Sequence, residues 1–252
     1  MLNMDGTIYL SDRLFEETKP FLELLKKQGK RFLFLTNNSS KGVEQYLEKL
    51  RKMGLPARED CLLTSGMATI AYLQSHLPSR EIFLCGTPSL TKDFEKAGFC
   101  LSAEHPKAVV IAFDTTLDYA KLHRICDLVR SGLPYFATHP DVNVPLSGGL
   151  APDVGCVISF VKTSTGREPD KIIGKPNAQL VETASVLTGI EKGEIVMVGD
   201  RLATDIMLGI SAGISSVLVL SGVTSENEAK ESSVKPDYIF QNIGEITKIL
   251  LN

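Results

Sequence analysis

Residues 2–9 read Leu2-Asn3-Met4-Asp5-Gly6-Thr7-Ile8-Tyr9. An apolar entry gives way to a small polar residue, an acid, a glycine and a hydroxyl, which is the pattern of a buried parallel strand opening at its carboxyl end into a site. Side chains alternate along a strand, so positions 3 and 5 are expected to face the same way, and Gly6 lets the backbone turn sharply. An acid at position 3 would make the pair a nucleophile and a general acid; the residue there is Asn. Only Met1 and Leu2 precede it, so either the first strand is unusually short or the natural chain begins earlier.

Outward from this stretch the chain alternates strand and helix. Phe15, Phe21, Leu22, Leu24 and Leu25 follow helical spacing with Pro20 near the start and Gly29 as the stop. Arg31 to Leu35 reads as a buried strand ending at Thr36-Asn37-Asn38-Ser39-Ser40, and Val43, Tyr46, Leu47, Leu50 and Met53 form the apolar face of a second helix. Such alternation predicts a parallel sheet covered by helices, an α/β doubly wound fold whose ligands bind beyond the carboxyl ends of the strands.

The same pattern continues through Leu62 to Thr64 and a helix to about Leu77. Then Pro78-Ser79-Arg80 marks a boundary. Strands at 82–85, 109–113 and 135–137, helices near 90–97, 118–129 and 154–162, and Gly- and Pro-rich turns at 86–88 and 144–149 make a second alternating unit. The division is therefore a core of residues 1–79 and 172–252 with an inserted α/β domain over 80–171. In the last third, Glu194 to Asp200 is a buried strand ending in an acid, with Asp205 in the first turn of the next helix. Strands at 216–220 and 237–240 and a helix at 243–251 close the chain.

The composition narrows the class of function. With 252 residues, 43% hydrophobic, 23% charged and a net charge of -3, the chain has ordinary globular character, and no basic excess points to nucleic acid. No apolar run is long enough for a membrane span and no signal peptide is evident, so a cytoplasmic protein is expected. The five cysteines, Cys61, Cys85, Cys100, Cys126 and Cys156, lack metal-type spacing and read as reduced, mainly core thiols. The partner is therefore sought as a small molecule in a pocket.

Four polar clusters share the sheet edge: Asn3/Asp5/Thr7, Thr36/Asn37/Asn38, Lys175, and Asp200/Asp205. Together they hold what phosphoryl transfer needs. Asp200, at a strand tip, suits a magnesium ion, which takes hard oxygens and keeps several waters. Asp205 either holds the waters of Asp200 or pairs with Lys175. The Thr36 hydroxyl and the N–H groups of Asn37 and Asn38, read as lying where a helix begins, form an anion cradle. Lys175 adds positive charge, and Asp5 is placed to protonate a leaving oxygen and then activate water. Each cluster also has a plain reading: Asp-Gly-Thr as a turn, Thr-Asn-Asn-Ser-Ser as a helix cap, Gly174-Lys175-Pro176-Asn177 as a turn with a solvated lysine. Gly199-Asp200 is the most specific, because an acid ending a buried strand is costly unless it has a role. His76, His105 and His123 read as surface residues and Cys156 as core.

These segments resemble the haloacid dehalogenase superfamily of phosphatases, and within it the NagD-like, 4-nitrophenylphosphatase-like branch. The first motif stands as Asn3-Met4-Asp5-Gly6-Thr7, the second as Thr36 to Ser40, the third as Gly174 to Asn177, and the fourth as Gly199 to Ile206. The resemblance spans nearly the whole chain and implies a Rossmann-like core with an inserted cap. It further implies a Mg2+ cofactor held by positions 3, 5 and 200, a small phosphorylated metabolite as partner, and hydrolysis through an aspartyl-phosphate; a homodimer is compatible with it. The segment Ala137-Thr138-His139-Pro140-Asp141 resembles the cap loop over the site, so His139 and Asp141 are candidate substrate contacts. Asn3 stands where the family has its nucleophile, and an amide cannot form the phospho-enzyme. Three readings of Asn3 stay open: a change introduced to trap a substrate, a peculiarity of an otherwise active enzyme's sequence, or a naturally inactive relative that binds a phosphorylated ligand. A receiver-type phospho-acceptor domain gathers similar groups, but residues 80–171 and the Asp-Gly-Thr turn have no role in it.

Overall fold

The computed structural model describes residues 1–146 and 149–251. By their contacts these residues form two compact units, the first made of Met1–Thr36, Leu47–Leu63 and Lys175–Asn252, the second of Asn37–Tyr46 and Thr64–Gly174. The chain thus crosses from one unit to the other between Thr36 and Asn37, inside the motif read as an anion cradle.

The strands in chain order are β1 Leu2–Asn3, β2 Tyr9–Leu10, β3 Arg13–Leu14, β4 Phe34–Thr36, β5 Leu62–Thr64, β6 Ile82–Cys85, β7 Ala108–Ile111, β8 Tyr135–Ala137, β9 Asn143–Leu146, β10 Gly149–Pro152, β11 Lys171–Ile172, β12 Val196–Gly199, β13 Ser215–Val219 and β14 Tyr238–Phe240. The α-helices are α1 Thr18–Lys27, α2 Val43–Lys52, α3 Ser65–His76, α4 Pro88–Lys96, α5 Tyr119–Arg130, α6 Val154–Thr165, α7 Gln179–Thr188, α8 Met207–Ala212, α9 Glu226–Glu231 and α10 Ile243–Leu251.

In the first unit a sheet runs in the order β14-β13-β12-β1-β4-β5. The parallel register places Leu2 beside both Val198 and Phe34, and Asn3 beside Leu35. The residues that follow, Asp200 after β12 and Thr36 at the end of β4, therefore emerge on the same carboxyl edge as Asn3. At β1 the connections depart to opposite sides, toward β12 and toward β4. That is the switch point at which open α/β sheets bind ligands. The strands are apolar because the sheet is covered: Leu2, Phe34, Leu35, Met197 and Leu218 are all buried. α1 is amphipathic, burying Phe21, Leu22, Leu24 and Leu25, and stops at Gly29, whose φ of 68° suits a residue without a Cβ. It packs with α10, where the Gln28 amide donates to the carbonyl of Leu250 at 2.6 Å.

The second unit carries a parallel sheet in the order β11-β8-β7-β6. Its core gathers Val109, Ile111, Ile125, Val129, Tyr135, Val154 and Val161, each fully buried, and each of the aliphatic side chains contributes about 1.5–3 kcal/mol of transfer free energy. Asp118 and Asp153 cap α5 and α6 through their carboxylates.

The α/β class, the doubly wound core and most elements stand as the sequence predicts. The contact grouping differs from the predicted division in two places. Residues 37–46 and 64–79 group with the middle segment: α3 packs there, with the Tyr72 and Phe136 rings 6.0 Å apart and the Gln74 amide donating to the Ala97 carbonyl at 3.0 Å. At the other border Lys171–Ile172 is a strand of the middle sheet, paired with β8, so that unit ends at Gly174. The hairpin β9-β10 lies over the segment read as a turn, and the hairpin β2-β3 over a segment to which the sequence assigns no element. Of the turn expected at 144–149, residues 147 and 148 lie outside the described residues. Cys156 is half-buried, not core, and its thiol donates to the Val142 carbonyl at 3.3 Å. Among the described residues no helix is long and apolar enough to cross a membrane.

Candidate active site

Lys175 is the hinge of the site in the first unit. Its side chain is 4% exposed, and its ammonium donates to Asn3 Oδ1 at 2.8 Å and to Asp205 Oδ1 at 2.7 Å. The reading of Lys175 as a solvated turn residue is therefore excluded. Asp205 is fully buried, and its second oxygen, Oδ2, accepts the backbone N–H groups of Asp200 and Arg201. Of the two roles predicted for Asp205, pairing with Lys175 is the one observed. The residue sits in a single π-helical turn, Leu202–Ile206, before α8 begins.

Asp200 is likewise fully buried. Oδ1 accepts the Asn3 amide at 2.7 Å and the Thr7 hydroxyl at 3.2 Å, and Oδ2 accepts the Val223 N–H at 2.9 Å. Burial, reinforced by the neighbouring charge of Asp205, raises its pKa above the ordinary carboxylate value, although the donors from Val223 and Asn3 oppose the shift. Two glycines make room for this carboxylate. A Cβ on Gly6 would lie 2.3 Å from Asp200 Oδ2 and one on Gly222 only 2.1 Å from it, while a Cβ on Gly199 would meet Asp205 at 2.3 Å. Gly222 was not anticipated; the signal was there in Ser221-Gly222-Val223, a loop opening directly behind a buried strand.

Asn3 joins these groups. Its Nδ2 donates both to Asp200 Oδ1 and, at 3.0 Å, to the main-chain carbonyl of Asp5, while its Oδ1 receives Lys175. This orientation is the only one that works: reversing the amide would set an NH2 against an ammonium and an oxygen against a carboxylate. Each of its bonds to a charged partner is worth about 1.5–3 kcal/mol.

Asp5 departs from expectation. β1 ends at Asn3, so the two-residue period no longer applies, and Asp5 turns its side chain outward while its carbonyl faces Asn3. Partial burial raises the Asp5 pKa, against the pull of the Lys49 ammonium. A carboxyl poised upward in this way suits a group that must give a proton and take one back. Thr36 ends β4, half-buried, on the same edge.

A divalent cation between positions 3, 5 and 200 would find suitable hard oxygens in Asp200 Oδ1 and the Asp5 carbonyl. It would also find both already bound by N–H groups of Asn3, so the residues as they stand do not fit a cation there. The His, Cys, Asp and Glu groups that converge closely enough to hold a metal, among the described residues, are instead His139, Asp141 and Asp153 in the second unit.

In that unit Asn37 donates from Nδ2 to Asp141 Oδ2 at 3.1 Å, and its carbonyl accepts the Ser65 hydroxyl. Asn38 folds its side-chain oxygen back onto Ser40, an Asx turn. The helix expected to start here begins only at Val43, so these N–H groups belong to a loop and not to a helix terminus. His139 is fully buried: Nδ1 meets the Thr138 hydroxyl at 2.9 Å, Nε2 meets Asp153 Oδ1 at 3.0 Å, and Thr138 meets Ser39 at 3.0 Å. A substrate contact by the ring is closed off by that burial; Asp141, half-buried beside Asn37, keeps an accessible edge.

Comparison with known proteins bears on the family and the fold. A family profile described as haloacid dehalogenase-like hydrolase matches residues 1–100, and a HAD-hydrolase-like profile matches residues 172–246. An acid sugar phosphatase of Staphylococcus aureus is 35% identical over 97% of this chain and 95% of its own length. The crystal structure of a 4-nitrophenylphosphatase from Thermotoga maritima superposes with a TM-score of 0.95 at 46% identity, covering 98% of this chain and 95% of the other. A p-nitrophenyl phosphatase from Archaeoglobus fulgidus superposes with a TM-score of 0.94 at 28% identity, covering 99% and 97%. The chain belongs to the haloacid dehalogenase-like hydrolases, among the phosphatases of the NagD and 4-nitrophenylphosphatase type.

Proposed function

We propose that this site is built to hydrolyse small phosphate monoesters, with position 3 as the attacking group and Asn3 holding that place in a catalytically silent form. The observation that carries the reading is the bridge made by Lys175, which ties position 3 to Asp205 and so gathers the ends of three segments far apart in sequence around one buried charge. With an acid at position 3, its carboxylate attacks phosphorus, the bond to the leaving oxygen breaks, and Asp5 supplies the proton that oxygen needs. Water deprotonated by Asp5 then cleaves the aspartyl-phosphate, restoring the acid and releasing phosphate. Lys175 and Thr36 hold the phosphate oxygens. Mg2+ is the cofactor of that acid form, where it would supply charge neutralisation.

A second reading is favoured by the complete satisfaction of the Asn3 amide: a protein that binds a phosphorylated metabolite without turning it over. One experiment separates the two. The native chain and Asn3→Asp are assayed with Mg2+ against sugar phosphates first, because of the acid sugar phosphatase likeness, then nucleotides and glycolytic phosphates, with calorimetry for binding. Asn3→Asp is expected to exceed the native chain by on the order of 10³-fold or more in kcat. Native turnover at the same rate, with Asn3 verified by mass spectrometry, overturns the proposal. Tight native binding of one metabolite with no gain in Asn3→Asp establishes the second reading.

A further inference from the structure

We infer that the Asn3 amide stands in for a divalent cation, so that the native chain keeps its site assembled without metal and resists metal entry. The inference rests on reading Asp200 and the Asp5 carbonyl as the oxygens around which a cation would sit. Both face one atom, Asn3 Nδ2, at 2.7 Å and 3.0 Å, and both N–H bonds are used on them. The third corner is fixed as well, since Lys175 donates to Asn3 Oδ1 at 2.8 Å and so holds the amide in that orientation. The amide supplies two partial positive charges at the point where oxygen ligands converge. It does so with no net charge and without the dehydration that Mg2+ resists.

The consequence differs for each residue that position 3 could carry. An acid there sets two carboxylates at contact distance in a buried site, and since Lys175 faces only one of them, a cation between them is strongly favoured. An alanine removes the blocking N–H groups and adds no ligand. The amide is thus the residue that closes the site, not merely a weaker ligand in it.

The test titrates MgCl2 into the native chain, Asn3→Asp and Asn3→Ala, each stripped with EDTA and checked for native far-ultraviolet circular dichroism. Binding is read by calorimetry and by thermal unfolding. The expected order of affinity is Asn3→Asp, then Asn3→Ala, then native. Near a hundredfold excess of cation over its Kd, the Tm of Asn3→Asp should rise by about 5 °C or more, whereas native Tm should move by less than about 1 °C. Native binding equal to or tighter than that of Asn3→Ala overturns the inference alone, because the amide would then be serving as a ligand. Equal binding in all three places the ion elsewhere, as at His139, Asp141 and Asp153, and also overturns it. Absence of binding by Asn3→Asp overturns instead the underlying reading of Asp200 and Asp5 as a cation centre.

Discussion

Gly222 shows how tightly one residue is constrained by a carboxylate it does not bond. A methyl group there would sit 2.1 Å from Asp200 Oδ2, inside any permitted contact, and Asp200 is also crowded by Gly6 and held by Asn3, Thr7 and Val223. Gly222→Ala is therefore expected to lose about 1–3 kcal/mol in urea unfolding, from overpacking around a group that cannot retreat. At Gly189, where a Cβ meets nothing within 4 Å and only the φ of 67° is unfavourable, the same change should cost about 1 kcal/mol. A reversed ranking in the two denaturation midpoints would refute this account. That Asn3, Thr7, Lys175, Asp200 and Asp205 lie together could be read from the sequence because burying such groups is expensive and their placement at strand ends is regular. The glycine walls could not, since an absent side chain says nothing about which neighbour fills its volume. The direction of Asp5 was misread for a similar reason: side-chain alternation holds only while the strand lasts, and β1 ends at Asn3.

Among the elements, α5 is fastened to the end of β7 by one ion pair. Asp114 follows the strand, its side chain 1% exposed, and Lys121 on the helix reaches it at 2.6 Å. Burial alone would raise the Asp114 pKa, but the hydrogen bonds from Lys121 and Thr116 outweigh it and hold the acid below its ordinary value of 3.8. An acid depressed in the folded state contributes stability that is present above the unfolded pKa and is lost as pH falls through the folded one. Lys121→Met should accordingly cost about 1–2 kcal/mol near pH 7, discounted because the lysine is partly in water, and progressively less below pH about 4. Chemical unfolding at pH 7 and pH 3 tests this; an equal penalty at both would leave the pair without an electrostatic role. At this scale the sequence was largely legible. Helices with wide apolar faces such as α1 and α5 and buried strands such as β8 and β12 announce themselves by period and length. The hairpins β2-β3 and β9-β10 are short, partly exposed and rich in turn residues, so their pairing depends on the surrounding fold and leaves little local pattern.

For the molecule as a whole, the five cysteines report which regions are shut off from reagents. Cys61, Cys85 and Cys126 are buried, Cys156 is half-buried and Cys100 is exposed. Burial, with the Asp114 charge added, pushes the Cys85 thiol up to about 12. Titration with Ellman's reagent, followed by peptide mass mapping, should modify Cys100 first, with Cys85 slower by on the order of 10²-fold or more until the protein unfolds. Early reaction at Cys85 would contradict the core assigned to the second unit. Broad architecture was readable from strand and helix alternation, whereas the grouping of α3 with the middle segment was not, because it depends on packing across a distance in sequence that no local pattern records. The arrangement around Asp200 has one more implication, for exchange at position 3. Lys175 bridges Asn3 and Asp205, while Thr7 and both glycine walls close on Asp200, and asparagine and aspartate differ at position 3 only by an NH2 in place of an oxygen. Exchanging the amide for an acid there therefore leaves the shape of the site unchanged and alters only its charge and its donors.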